Sequence, residues 1–308
     1  MEDLSQRKLK EIIDTAIYQL ILQSSTSVHQ DVLSYLQNCL NLTQPQSIPA
    51  IQLNLMIKNL KFGQEKKLPI CQDTGHLNFF IQLGSKFPII SNFKQEIENN
   101  LEKLTNEAKI RPNTVDPLTN NNPQNNLGEK YPPIYLEIIP QSEDLIITVL
   151  NKGGGSENIS QLFMLPAASG KEQIIPTILS SLQKDARKAC PPIIVGLGIG
   201  GDAVKSLFLA KKSLLRPLGS KNPRKDIQEL ESDLLDKINA LEIGVMGLGG
   251  PCSCLDVHIE CSMRHPATYP VAMVVDCYSH RTRSCRITAD GKIIFGTLDN
   301  FYQFISNS

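Results

Sequence analysis

The sequence predicts an α/β protein in which a helical N-terminal segment, residues 1–60, precedes a region, 61–308, of two α/β sub-lobes with mixed sheets. Three observations carry this reading. Apolar residues recur at helical spacing through the first sixty positions, short β-rich runs alternate with helical stretches after them, and 308 residues at 41 % apolar suffice for one large domain or two lobes.

The helical segment rests on Leu9, Ile12, Ile13, Ala16, Ile17 and Leu20, then on Val32, Leu33, Leu36 and Leu40, which suggests two or three helices. Asn78–Gly84 reads as a strand and residues 92–108 as a helix, followed by an Asn/Pro-rich loop from Pro112 to Asn126. Tyr135–Ile139 and Leu145–Leu150, separated by a polar turn, read as a β-hairpin that ends at the triglycine of Lys152–Asn158. A helix is expected over 174–188, broken by Cys190-Pro191-Pro192. A buried strand from Ile193 then ends in Gly196-x-Gly198-x-Gly200-Gly201. Helices over 203–215 and 224–240 and strands over 256–260 and 271–277 complete the sequence reading, which contains no internal repeat.

Composition excludes several classes. Lys+Arg and Asp+Glu are both 31, so no global field favours nucleic acid or a membrane surface. The first twenty residues lack a long apolar core and a small-residue cleavage site, and no stretch is long and apolar enough to span a bilayer. Eight cysteines without an export signal argue for a reducing compartment, with cytoplasm the default, and for metal or catalytic use rather than disulfides. Gly196-x-Gly198-x-x-Gly201 satisfies a dinucleotide fingerprint, but the acidic residue expected some twenty positions on is missing. Close strand–helix packing or approach to a small anion is the better reading of those glycines.

Three cysteines stand in polar or Gly/Pro-rich settings: Cys71 before Gln72-Asp73-Thr74-Gly75, Cys190 before two prolines, and Cys277 after Val-Val-Asp276. Three thiolates can hold an iron–sulfur cluster whose fourth iron has no protein ligand and is therefore a Lewis acid. The ordinary alternative is that each is a buried thiol. Cys252 and Cys254 compete for the third place, while Cys39, Cys261 and Cys285 read as packing residues.

Cys71-Gln-Asp-Thr-Gly75, Lys152-Gly-Gly-Gly-Ser-Glu-Asn158, Ala189-Cys-Pro-Pro192, Gly198-Ile-Gly-Gly201 and Arg264-His-Pro266, in this order, resemble the alpha subunit of class I, oxygen-sensitive fumarate hydratase and of L-tartrate dehydratase. The resemblance implies a [4Fe-4S] cluster on Cys71, Cys190 and Cys277, with one iron not ligated by cysteine. It places Gln72, Arg111 and the Gly154 amide at substrate carboxylates, and gives acid–base roles to Asp73 and His265. Each has an ordinary alternative: a turn residue for Asp73, a helix C-terminal cation for Arg111, a structural histidine for His265. His280, in a basic cluster, receives no role.

Dehydrating a 2-hydroxy dicarboxylate needs a leaving hydroxyl to be activated, a proton to be removed from C3, and the developing charge to be held by fixed donors. No C3 base is evident. The resemblance supplies it from a separate beta subunit, so a hetero-oligomer acting on a C4 dicarboxylate is expected. The triglycine segment looks like fumarate hydratase, whereas Arg264–Thr268 and Leu215–Pro223 look more like the tartrate enzyme. (S)-Malate = fumarate + water is the preferred reading, L-tartrate dehydration to oxaloacetate the alternative, and a non-catalytic iron–sulfur binding or sensing protein the alternative of another class.

Overall fold

A computed structural model describes residues 4–88 and 93–296 and resolves them into two units. The first contains residues 1–29, 60–152 and 281–308, and the second residues 30–59 and 153–280. The helical segment is thus shared out: α1 (Leu4–Thr26) lies in the first unit, α2 (Gln30–Leu42) in the second, and α3 (Ile48–Lys66) runs across the division.

The first unit is built on a five-stranded sheet of order β2-β1-β3-β8-β9, with β1 at His76–Gly84, β2 at Ile134–Ile139, β3 at Leu145–Lys152, β8 at Thr282–Ile287 and β9 at Ile293–Gly296. One face is apolar by alternation: Phe79, Ile81, Ile147, Val149 and Cys285 pack against Ile13, Ile17 and Leu20 of α1 and Ile97, Leu101 and Leu104 of α4 (Phe93–Asn106). The expected hairpin is corrected here. β2 and β3 do not pair with each other, because β1 lies between them, parallel to β2 and antiparallel to β3. Every residue of β3 is buried, as a strand flanked by β1 and β8 requires, whereas β2 is an edge strand with Leu136 and Ile138 exposed. The short polar connection resembled a hairpin turn, and only the long-range pairing of β1 overrides it.

The second unit carries a four-stranded sheet of order β4-β7-β5-β6, with β4 at Gln161–Met164, β5 at Ile193–Gly201, β6 at Cys254–Arg264 and β7 at Pro270–Asp276. Val195, Leu197, Val257, Ile259, Val271, Met273 and Val275 face α6 (Ile174–Asp185) and α8 (Lys225–Asn239). The opposite face is cut back by glycines in β5. A Cβ on Gly196 would meet the carbonyl oxygen of Ala210 at 2.3 Å, and one on Gly198 that of Ser206 at 1.9 Å, so both glycines admit α7 (Ala203–Ser213) against β5. The glycine fingerprint is therefore a packing device, running through a strand rather than a phosphate loop. Asp202 caps α7, its carboxylate accepting the Lys205 N–H at 2.7 Å, where a nucleotide site would leave that donor for phosphate.

The segment Leu215–Pro223 is held by a buried ion pair. Arg216, 1 % exposed, pairs with Glu231 of α8, donates to the Ser220 carbonyl at 3.1 Å, and shares Glu231 with the Ile259 N–H at 2.8 Å. Arg216→Met is expected to destabilise the protein by about 3–5 kcal/mol, because the carboxylate of Glu231 is left buried and unpaired. Thermal denaturation should show the double variant Arg216→Met/Glu231→Leu to be less damaged than Arg216→Met alone.

Candidate active site

The first unit presents the turn after α3 that carries Cys71, Gln72 and Asp73. Asp73 closes an Asx turn, its Oδ1 accepting the Gly75 N–H at 2.9 Å, and Gly75 has the positive φ of 88° that this turn needs. Arg111 lies beside it, five residues beyond α4 rather than at the helix end, so the helix-terminus alternative for its charge falls. Its backbone N–H donates to Thr74 Oγ1 at 2.8 Å and its Nη1 to the Gln72 carbonyl at 3.0 Å, while the side chain stays exposed. The Asn-rich segment is the brace for this turn. Asn113 Nδ2 reaches Asp73 Oδ1 at 3.3 Å, and buried Asn126 donates to the Arg111 carbonyl at 2.8 Å and accepts the Asn113 N–H at 2.8 Å. From the sequence these asparagines read as a loop, and nothing in their local pattern marks them as braces.

The second unit gathers Cys190, Cys277 and the triglycine at one end of its sheet. Ile194 of β5 stands opposite Asp276 of β7, and the Tyr278 N–H points to the Cys190 carbonyl at 3.4 Å. Cys190 is exposed and left-handed (φ 52°, ψ 65°), a conformation a non-glycine residue adopts at a cost. α5 (Gly154–Glu157) packs here: Ser156 Oγ reaches Asp276 Oδ1 at 3.5 Å, and a Cβ on Gly155 would meet the Lys188 carbonyl at 2.8 Å.

Beside Cys277 stands a pair the sequence reading passed over. Asp276, 1 % exposed, accepts the Cys277 N–H at 2.9 Å through Oδ1 and contacts His280 Nδ1 at 2.6 Å through Oδ2. The Nε2 of His280 is buried without a hydrogen-bond partner among the described residues. A carboxylate on one ring nitrogen fixes the tautomer and leaves the other to a ligand. The sequence signal was an Asp and a His flanking the candidate ligand at i−1 and i+3.

His265 is placed elsewhere. It follows β6, at the end of the sheet where Ile199 of β5 pairs with Val271, and the seven residues of β7 separate it from Cys277. At roughly 3.3 Å per residue that is about 20 Å. Its Nδ1 accepts the Ala267 N–H at 3.1 Å.

The thiols divide by environment. Cys190 is exposed and Cys71, Cys261 and Cys277 half-buried, whereas Cys39, Cys252, Cys254 and Cys285 are buried. Burial pushes Cys285 up to about 12 and, with nearby carboxylates, Cys261 up to about 11; Cys254 rises for the same reason. Cys39 and Cys252 hydrogen-bond to each other, which raises the first and lowers the second. Thiols pushed upward are poor thiolate ligands. The soft, accessible donor set thus consists of Cys71 in one unit and Cys190 and Cys277 in the other, a set whose chemistry fits an iron–sulfur cluster. Among the described residues no three His, Cys, Asp or Glu side chains gather as a metal-binding group within the chain as folded here.

An apolar cavity of about 240 Å³ in the first unit, lined by Ile13, Ile81, Leu83, Phe87, Ile134 and Leu136, has Lys94 as its sole charged lining among the described residues and does not suit a dicarboxylate. No described helix is long and apolar enough to cross a membrane.

Residues 14–286 match the family model described as Fumarate hydratase (Fumerase). The chain belongs to that family. The fumarate hydratase family is one of hydro-lyases of C4 hydroxy dicarboxylates, and the chain is such an enzyme, of the class I type. It is similar to a protein of Methanocaldococcus jannaschii provisionally named L(+)-tartrate dehydratase subunit alpha, 37 % identical over 284 residues, covering 91 % of this chain and 99 % of that one. It is also similar to the L(+)-tartrate dehydratase subunit alpha of Escherichia coli strains UTI89 and K12, each 33 % identical over 266 residues, covering 86 % of this chain and 88 % of theirs.

Proposed function

We propose that this chain is the cluster-bearing alpha subunit of a two-subunit fumarate hydratase that interconverts (S)-malate and fumarate. The observation that carries the reading is the setting of the thiols outside the core: of the four that keep exposed surface, Cys261 is pushed up to about 11, and the other three are Cys71, Cys190 and Cys277, with Gln72, Asp73 and Arg111 around the first and Gly154 and the Asp276–His280 pair around the other two. A [4Fe-4S] cluster with one iron not held by cysteine would supply a Lewis acid for the departing hydroxyl.

The chain's own residues do the rest. Arg111 presents an exposed planar fork suited to a carboxylate, and Gln72 and the Gly154 N–H add neutral donors. Asp73, oriented by the Gly75 N–H and by Asn113, handles the proton of the leaving hydroxyl. His265 is its proposed acid–base partner. The length of β7 separates it from Cys277 of its own chain, which supports a role at the site of a second alpha copy. The base that takes the C3 proton comes from a beta subunit, in keeping with the names of the relatives, which are alpha subunits.

Those names also favour a second reading, dehydration of L-tartrate to oxaloacetate. Anaerobic reconstitution with iron and sulfide, with and without the co-encoded beta chain, separates the readings. The expected result is about four irons per chain, turnover only with beta present, and a kcat/KM for malate and fumarate at least about tenfold above that for L-tartrate. The inverse ratio assigns the tartrate reaction. A loaded complex with no turnover on any of the three would make the protein a binder or sensor.

A further inference from the structure

We propose that Arg281 is a positioning residue of this site: a buried, fixed positive charge that grips the Gln72–Asp73 turn by its backbone and supplies the field that holds the site's anions, thiolate and dicarboxylate. The inference rests on the reading of the site given above and concerns a residue to which that reading gives no part.

Arg281 opens the segment that runs into β8 and is 2 % exposed. Its Nη1 donates to the Asp73 carbonyl at 2.9 Å, and its Nη2 lies 3.1 Å from the position a Gly75 Cβ would take. Among the described residues it forms no ion pair. Arg216, the other arginine buried to this degree, does have its carboxylate, Glu231. A carbonyl oxygen orients a guanidinium without neutralising it, and a buried charge without a counter-charge is costly. The counter-charge is what the site binds.

Asn151 points the same way. Its N–H donates to the Arg281 carbonyl at 2.9 Å, and its Oδ1 lies 2.0 Å from the Cβ position of Gly75, so no larger residue fits that turn. Yet Oδ1 and Nδ2 of this fully buried side chain have no hydrogen-bond partner among the described residues. Polar capacity and positive charge are thus both in surplus against one short turn.

The two arginines of the turn then divide the work. Arg111 and Arg281 take the carbonyls of consecutive residues, Gln72 and Asp73. Arg111 is exposed and can exchange its carbonyl for a substrate carboxylate, whereas Arg281 is sealed and acts only through the turn it holds and the field it projects, which low local dielectric strengthens.

The test uses the complex of this chain with its beta subunit, loaded with iron and sulfide, and the variants Arg281→Gln, Arg281→Lys and Asn151→Asp. Iron content, melting temperature, cluster midpoint potential by redox titration, and KM for the dicarboxylate are read on each. Arg281→Gln is expected to lower the midpoint potential and raise KM about tenfold, whereas Arg281→Lys restores the potential because it keeps the charge. Asn151→Asp, which sets a carboxylate beside Arg281, should shift the potential as Arg281→Gln does. Potentials unchanged in Arg281→Gln and Asn151→Asp, or lowered equally in Arg281→Gln and Arg281→Lys, overturn the proposal. Should Arg281→Gln fail to load, the other two variants decide it. A wild type that takes up no iron and sulfide refutes the cofactor reading instead.

Discussion

Serine in place of Cys71, Cys190 or Cys277 is expected to abolish iron and sulfide uptake, while Cys285→Ser leaves it within the error of the assay. The reason is environmental as much as positional. Cys285 is fully buried in the apolar face of the first unit's sheet, with its thiol pushed up to about 12, and cannot become a ligand without exposing the core. The three candidate ligands are accessible, and two of them flank one sheet end. Serine keeps the size of cysteine but offers a hard, poorly acidic oxygen to iron, so the loss is expected to be of the whole cluster rather than of a fraction. Iron and sulfide analysis of anaerobically reconstituted chains checks this. If Cys252→Ser loses the cluster and Cys277→Ser keeps it, the third ligand lies in the Gly249–Cys254 turn.

The second large effect concerns protonation across copies. His265→Asn is expected to lower turnover by roughly a hundredfold with iron content unchanged, since a proton donor is removed and no ligand is touched. If His265 acts on a second alpha copy, an equal mixture of His265→Asn and Cys277→Ser chains, unfolded and reassembled with beta, should regain about a quarter of wild-type activity, because half the pairs then hold one intact composite site. Each variant alone stays at or below roughly a hundredth of wild type. No recovery on mixing, with normal loading of the His265→Asn chain, would mean that His265 does not serve a neighbouring site and would turn attention to His280, buried beside Cys277 and held by Asp276.

What the sequence made legible follows the range of the interactions involved. The helices and most strands obey local periodicity, and β5, α7 and α8 lie within a few residues of their expected bounds. The pairing of β2 and β3 does not: the inserted strand is more than fifty residues upstream and nothing in the turn announces it. The site divides likewise. The proposed ligands Cys71, Cys190 and Cys277 are read from chemistry and motif alone. The braces are not, since Asn113, Asn126, Asn151 and Arg281 matter through contacts made far along the chain, and such residues read as loop filler or as a solvated basic turn. The fingerprint glycines erred in the other direction, a motif whose local form matched a function that its packing excludes.

The hydrogen bond from Arg281 to the Asp73 carbonyl joins residues 208 positions apart. During synthesis the turn bearing Cys71 therefore emerges long before its clamp exists, and a contact of such separation is among the last a chain can close. Metal delivered to the nascent polypeptide would meet an unfastened loop. Cofactor insertion, if the proposed site holds, follows the folding of the chain through Arg281, and a truncation anywhere before residue 281 would leave a protein that can build much of its framework yet never lock the turn.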